Sequence, residues 1–387
     1  MKLLKQFAFV IMLFTAVTVN AQVGIGTTTP LARLQVTDSS VLFSAAGSIP
    51  TTPGNTPISG AGRRMMWYPD KAAFRVGYVD GTQWDRDNIG SYSFASGIYT
   101  KAIGDGSISM GLQTTATGLG SISMGKYTIA SGDYSTAIGN NTTASGISST
   151  AIGNSTTASG AISTAMGNIT TASGNYSTAI GTQTIASGAN SVAIGTLVST
   201  NGHTGSFFFG DSDPNNKGLR ITGVDNEFAA RFNGGYFFIT SNAGSDIGVR
   251  VAPGGNSWST ISDVNRKENF EPVNGDDFLE KIASFNLSSW NYKGQDAKTF
   301  RHYGPMAQEF YKAFGKDDYG IIGCDTLINQ QDFLGVNLIA IQALEKRTVE
   351  NKKETDLQNI RISDLQKENE DLKTRLDKLE RMIANKQ

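Results

Sequence analysis

Two side chains in the sequence have the types and spacing for covalent chemistry. In Ile261-Ser262-Asp263-Val264-Asn265-Arg266-Lys267 the serine and the lysine stand five residues apart. A serine hydroxyl becomes a nucleophile when a neighbouring base takes its proton, and a lysine serves as that base once burial brings its pKa down toward neutrality. Spacing alone does not single this pair out, because the same Ser-x-x-x-x-Lys pattern occurs at Ser96/Lys101, Ser121/Lys126, Ser212/Lys217 and Ser288/Lys293. Read without context, Ser262-Asp263 is a helix N-cap or turn opener. Other chemistries have little material: one cysteine (Cys324) closes no internal disulfide, and two histidines (His203, His302) make no His-rich metal site, so no metal or cofactor is expected.

The elements that must carry this pair fall into zones of contrasting composition. Lys+Arg 33 against Asp+Glu 34 leaves a net charge of −1, without the cationic excess that nucleic acid would require. Lys2 and Lys5 precede an apolar run over 7–19, and Val19-Asn20-Ala21 offers small residues for cleavage, so residues 1–21 read as a signal peptide and the mature chain as secreted or on the cell surface. No later segment is apolar enough to span a bilayer as a helix. Residues 22–89 form a β-rich N-terminal region, with a strand over 31–36 and an irregular loop marked by Pro50, Pro53 and Pro57. Residues 203–261 read as a β-rich connector, in which runs such as Tyr236-Phe237-Phe238-Ile239 are separated by Gly and Asn turns.

Between them lies a repeat. Glycine recurs every seven residues from Gly97 to Gly195, and Gly90 and Gly202 extend the register. From Gly111 on, the residue before each glycine alternates between large (Met110, Met124, Ile138, Ile152) and small (Thr117, Ser131, Ser145), so the unit is 14 residues. A helix is excluded, since each glycine costs roughly 1 kcal/mol relative to alanine and the rest is Thr, Ser and Ile. Short strands with turns at the glycines fit, and no proline interrupts the stretch from Pro69 to Pro214. Stacked at about 4.8 Å, seven such coils make a rod segment of roughly 35 Å. One Ile or Met plus Ala per coil is a thin interior for a lone chain, which points to burial against sister copies. Two large-type heptads adjoin at Gly104 and Gly111, which predicts a seven-residue shift there, as a kink or an end cap.

Ser135-Thr136-Ala137-Ile138-Gly139 and Thr143-Ala144-Ser145-Gly146 resemble the head repeats of trimeric autotransporter adhesins. That resemblance, covering about 90–202, implies a trimeric left-handed parallel β-roll. No β-barrel anchor of the kind that family ends in is expected from this sequence. The opening Gln22-Val23-Gly24-Ile25-Gly26-Thr27-Thr28-Thr29-Pro30 is similar to that of secreted tail-fibre-like proteins of Bacteroidota-type bacteria. Two uses for the repeat stand open: a spacer, or an adhesive surface for a host-surface or glycan receptor.

The C-terminal third resembles the intramolecular chaperone of phage tail spikes, neck appendages and endosialidases, a family of self-cleaving serine peptidases with a Ser-Lys dyad. Three separated motifs carry it: Ser262-Asp263 with Lys267-Glu268-Asn269, then Arg301-His302-Tyr303-Gly304-Pro305-Met306-Ala307-Gln308-Glu309-Phe310, then the helix from Val336 to Leu344. Where that family has an Arg two or three residues after the Ser, this chain has Val264 and Asn265, with Arg266 one further on. The resemblance implies that Ser262 attacks the Ile261 carbonyl with Lys267 as general base, and that an auto-processing domain, 262–343, is released with its coil. His302 either orients the site or donates to the oxyanion, or is a hydrogen-bonded structural histidine. Residues 344–387 read as a coiled coil with Ile362, Asn369, Leu376 and Ile383 at a and Leu365, Leu372 and Leu379 at d. The expectation is a mainly β homotrimer: a β-roll stalk, a β-rich connector and an α/β chaperone domain ending in a trimeric coil. It is either a self-cleaving fibre or a non-enzymatic fibre with an uncleaved tail.

Overall fold

The computed structural model describes residues 22–241 and 247–385; the expected signal peptide lies outside them. The chain divides into two compact units, 1–234 and 235–387.

In the first unit the repeat folds as expected into a β-solenoid. Each 14-residue coil contributes a five-residue strand, such as Thr136–Asn140, and a two-residue strand, such as Thr143–Ala144. The long strands stack in parallel with identical residues in register, Thr136 on Thr150, Ile138 on Ile152, Gly139 on Gly153. The result is a 12-stranded sheet facing a 9-stranded sheet of the short strands. The longer sheet reaches past the glycine repeat at both ends, taking in the Gly62–Tyr68/Ala73–Val79 hairpin and the strands Phe207–Gly210 and Phe228–Arg231. The expected strand at 31–36 is short, Leu34–Val36, and pairs in parallel with Val23–Ile25.

Three expectations about the repeat are corrected. The glycines that follow the large residues are not corners, whereas the alternate ones open a turn as expected, the Ser149 N–H donating to the Gly146 carbonyl at 3.2 Å. Gly139 lies within its strand at φ 129°, and a Cβ there would overlap the Gly153 carbonyl oxygen of the next coil. A Cβ at Gly146 would overlap the Gly160 carbonyl in the same way. Glycine is thus required by the close approach of successive coils, and the chain turns two residues later at left-handed positions such as Asn141 (φ 56°) and Ser148 (φ 54°). Second, no shift or kink separates Gly104 from Gly111: Ser96 pairs with Met110 and Gly97 with Gly111, so only the side-chain sizes exchange. Third, the large residues do not fill the coil. Its interior holds small side chains, Ser135, Ala137, Thr142 and Ala144, all fully buried, whereas Ile138, Ile152, Met166 and Ile180 stand half-exposed on the outer face of the long sheet. Alternation along a strand forces this choice: with Ala137 inside, Ile138 must point out.

The hairpin closes one end of the solenoid. Arg75, fully buried, donates from its guanidinium to the carbonyls of Ser93 (2.9 Å) and Ala102 (3.0 Å) and to the Ser93 hydroxyl (2.7 Å). Burial pulls its pKa down to about 10, which leaves the charge in place at neutral pH. Met66, Tyr68, Ala73, Val79, Trp84 and Ile89 pack a small core beside it. The proline-containing loop covers the hairpin's outer edge, where Tyr68 donates to the Gly54 carbonyl and Arg64 to those of Ile58 and Gly60, so the edge is not left open to pairing.

The second unit begins with a three-stranded antiparallel sheet, Tyr236–Ile239, Gly248–Val251 and Ser259–Thr260. Helix α1 (Gly275–Ala283), a hairpin of Ser288–Trp290 and His302–Gly304, helix α2 (Ala307–Phe314) and the 55-residue helix α3 (Gln330–Ala384) follow. Asn274 and Asn329 cap α1 and α3 by accepting from the backbone N–H two residues on. Phe310, Phe314 and Val336 form the core of these helices, with Phe278, Ile282, Phe285 and Phe333 packed around them.

Candidate functional site

Ser262 stands two residues beyond the end of the Ser259–Thr260 strand, and a single turn brings Lys267 back to it. Asp263 caps a one-turn helix over Val264–Arg266. Its carboxylate accepts from the Asn265 backbone N–H and side-chain amide, both at 3.0 Å, and its carbonyl accepts from the Arg266 N–H at 3.1 Å. Lys267 N–H then donates to the Val264 carbonyl at 3.2 Å. Folding five residues in this way places Lys267 Nζ 2.7 Å from Ser262 Oγ, with the lysine donating. The dyad is therefore assembled from local hydrogen bonds alone. The turn-opening role of Ser262-Asp263 and the dyad geometry coexist, because the turn is what joins the pair.

Both Ser262 and Lys267 are exposed, and Ile261 is half-buried. A lysine becomes a base when its ammonium loses water, so the single chain supplies the contact but leaves the ammonium hydrated. Asn265 closes this turn and is a residue that spacing did not single out; its signal was its place two residues after an Asp, the spacing of an Asx turn.

His302 lies on the second strand of the Ser288–Trp290/His302–Gly304 hairpin. It pairs across the hairpin with Trp290, whose ring it stacks on at 4.7 Å, while Tyr292 meets both rings edge-on. Its Nε2 is buried without a hydrogen-bond partner among the described residues. The second motif thus has a clear local task. Its strand pairs at Trp290, Pro305 ends the strand, Glu309 accepts from the Asn286 amide at 2.8 Å, and Phe310 enters the core. Among the described residues no group of three or more His, Cys, Asp or Glu could hold a metal ion, and no helix is long and apolar enough to cross a membrane.

Comparison with protein families agrees with this division. Residues 102–128, 116–142, 144–170 and 172–197 match the YadA head domain repeat, and residues 262–318 match the chaperone of endosialidase. The chain therefore carries adhesin-head repeats followed by an endosialidase-type chaperone segment, the order read from the sequence. No curated protein matches the chain.

Proposed function

We propose that the chain is a secreted, trimeric, fibre-like surface protein whose C-terminal segment directs trimer assembly and then detaches itself by serine autoproteolysis between Ile261 and Ser262. The observation that carries this reading is the 2.7 Å contact of Lys267 Nζ with Ser262 Oγ, at the first residue of the chaperone match. Burial of the dyad by sister chains strips water from the Lys267 ammonium, and the neutral amine takes the Ser262 hydroxyl proton. Oγ attacks the Ile261 carbonyl carbon to give a tetrahedral intermediate. Its collapse breaks the Ile261–Ser262 C–N bond, with the proton returning from Lys267 to the Ser262 nitrogen. The resulting Ile261 ester on Ser262 Oγ is hydrolysed by water, leaving an Ile261 carboxylate and a free Ser262 amine. His302 has a catalytic part only if a neighbouring copy brings it to the developing oxyanion.

Trimerisation draws support from two surfaces. The long sheet of the roll has an outward apolar column through Ile138, Ile152, Met166 and Ile180. Helix α3 leaves Leu365, Leu372, Leu376 and Leu379 exposed at heptad spacing. A local, fast-forming coil holds three chains together while the slow, non-local roll aligns. Exposure of both dyad residues favours a second reading, a non-enzymatic fibre with its tail retained. Denaturing gels of folded wild-type protein and Ser262→Ala separate the two. The first reading requires two wild-type bands, the smaller starting at Ser262, against one band for the variant; identical full-length bands would contradict it.

A further inference from the structure

One corner of the roll carries a row of residues that the fold does not require. Successive residues of this corner hydrogen-bond up the stack: Tyr134 N–H donates to the Leu119 carbonyl (2.7 Å), Ser148 to Asp133 (2.8 Å), Ile162 to Ile147 (2.8 Å) and Tyr176 to Ala161 (2.8 Å). Tyr92, at the head of the row, donates to Lys71 (2.7 Å). Every residue of the row is left-handed, and in five coils it is Gly106, Gly120, Ser148, Ile162 or Asn190. At Tyr92, Tyr134 and Tyr176 it is an exposed tyrosine, 67%, 62% and 58% accessible, at φ 57°, 58° and 59°.

The three are evenly placed. Tyr92 to Tyr134 and Tyr134 to Tyr176 are each 42 residues, three coils, or about 14 Å at the strand spacing. Below Tyr134 the corner is Gly120, and a Cβ there would lie 3.1 Å from the ring's Cδ1, so the glycine lets the ring lie flat along the roll. The flanking charges are already occupied: Asp133 accepts from the Leu119 N–H (2.9 Å) and Asp105 from the Ser91 N–H (2.8 Å), while Asn175 takes the same place opposite Ala161 (3.0 Å). What remains is an edge of hydroxyls, amides and the two exposed carboxylates, with flat aromatic faces at a constant interval. Their backbones are fixed by the ladder, so little freedom is lost on binding.

We propose that Tyr92, Tyr134 and Tyr176 form stacking platforms for a linear, uncharged polysaccharide lying along the roll, each interval spanning a few linked hexose rings. A polymer whose sugar faces carry C–H groups matches the rings, and one without charge escapes repulsion by the Asp105 and Asp133 carboxylates, to which its hydroxyls donate. This rests on reading the repeat as an adhesive surface and is independent of autoproteolysis.

Affinity electrophoresis of the full chain through gels containing konjac glucomannan or mixed-linkage β-glucan tests it, with alginate gels and immobilised collagen in parallel. Wild-type protein is expected to be retarded by at least one neutral polymer and by neither alginate nor collagen. Tyr134→Asn should weaken retardation several-fold, and combined Tyr92→Asn, Tyr134→Asn and Tyr176→Asn at least tenfold. Asparagine is chosen because Asn141 and Asn190 already occupy such corners, and unchanged circular dichroism of the variants verifies the fold. Migration unaffected by both neutral polymers, equal retardation of the triple variant, or binding that follows alginate or collagen instead would each overturn the proposal.

Discussion

At the scale of single residues, the dyad is a property of one turn. Asp263 joins the strand that ends at Thr260 to the segment that returns Lys267, and it does so through three hydrogen bonds centred on its own carboxylate and carbonyl. Asp263→Ala should therefore slow appearance of the Ser262 N-terminus about tenfold without removing either reacting group, whereas Lys267→Met should abolish it; time courses read by mass spectrometry distinguish the two. A Lys267→Met protein that cleaves at the wild-type rate would remove lysine from the reaction. Arg75 makes a different residue-scale case. Its guanidinium donates to carbonyls in a closed interior that the Phe74 and Gly90 N–H groups also reach, so Arg75→Ala removes the charge-assisted hydrogen bonds and leaves a cavity where the side chain was. The expected loss is about 3 kcal/mol, read by chemical denaturation.

At the scale of the coil, the small interior decides what the repeat tolerates. In two coils the inward position holds serine: Ser109 lies 2.7 Å from the Thr114 hydroxyl and Ser123 2.7 Å from that of Thr128. From Ala137 onward the same position is alanine, and the Thr142 and Thr156 hydroxyls have no partner among the described residues. Ala137→Ser and Ala151→Ser should each raise stability by about 1 kcal/mol by restoring that hydrogen bond. Gly139→Ala should instead cost about 3 kcal/mol or more, because its methyl group meets the Gly153 carbonyl. Thermal unfolding of the three variants checks both signs.

The period, the 14-residue unit, the parallel stacking and the terminal helix were legible in the sequence because each leaves a spacing signature. The corners were not, because Tyr134, Ile162 and Gln183 carry no preference for the left-handed conformation that neighbouring coils impose on them. Nor was the direction of the Ile/Met column, since adjacent positions in a strand face opposite ways and either could have been inside; the narrowness of the coil settles it in favour of alanine. The dyad spacing was legible, but the agent that joins it, the Asp263–Asn265 turn, is a matter of backbone geometry. His302 sat in a readable motif, yet a motif records that a residue is required and not whether it packs or reacts.

At the scale of the whole molecule, the unsatisfied surfaces are those that copies of the chain would cover. The roll turns its largest aliphatic side chains outward, and α3 presents its leucines to solvent over a length that no part of the same chain covers. Such faces are costly alone and stabilising once shared, at roughly 25 cal/mol per Å² of apolar surface removed from water. The proposed autoproteolysis would fit this picture as a last step, since losing the coil after assembly would remove the guide for realignment. The most direct test of the account is the solution mass of the Ser262→Ala protein, which retains its coil, by sedimentation equilibrium at micromolar concentration. Three times the mass of one chain is the predicted result; a folded species with the mass of a single chain would contradict it.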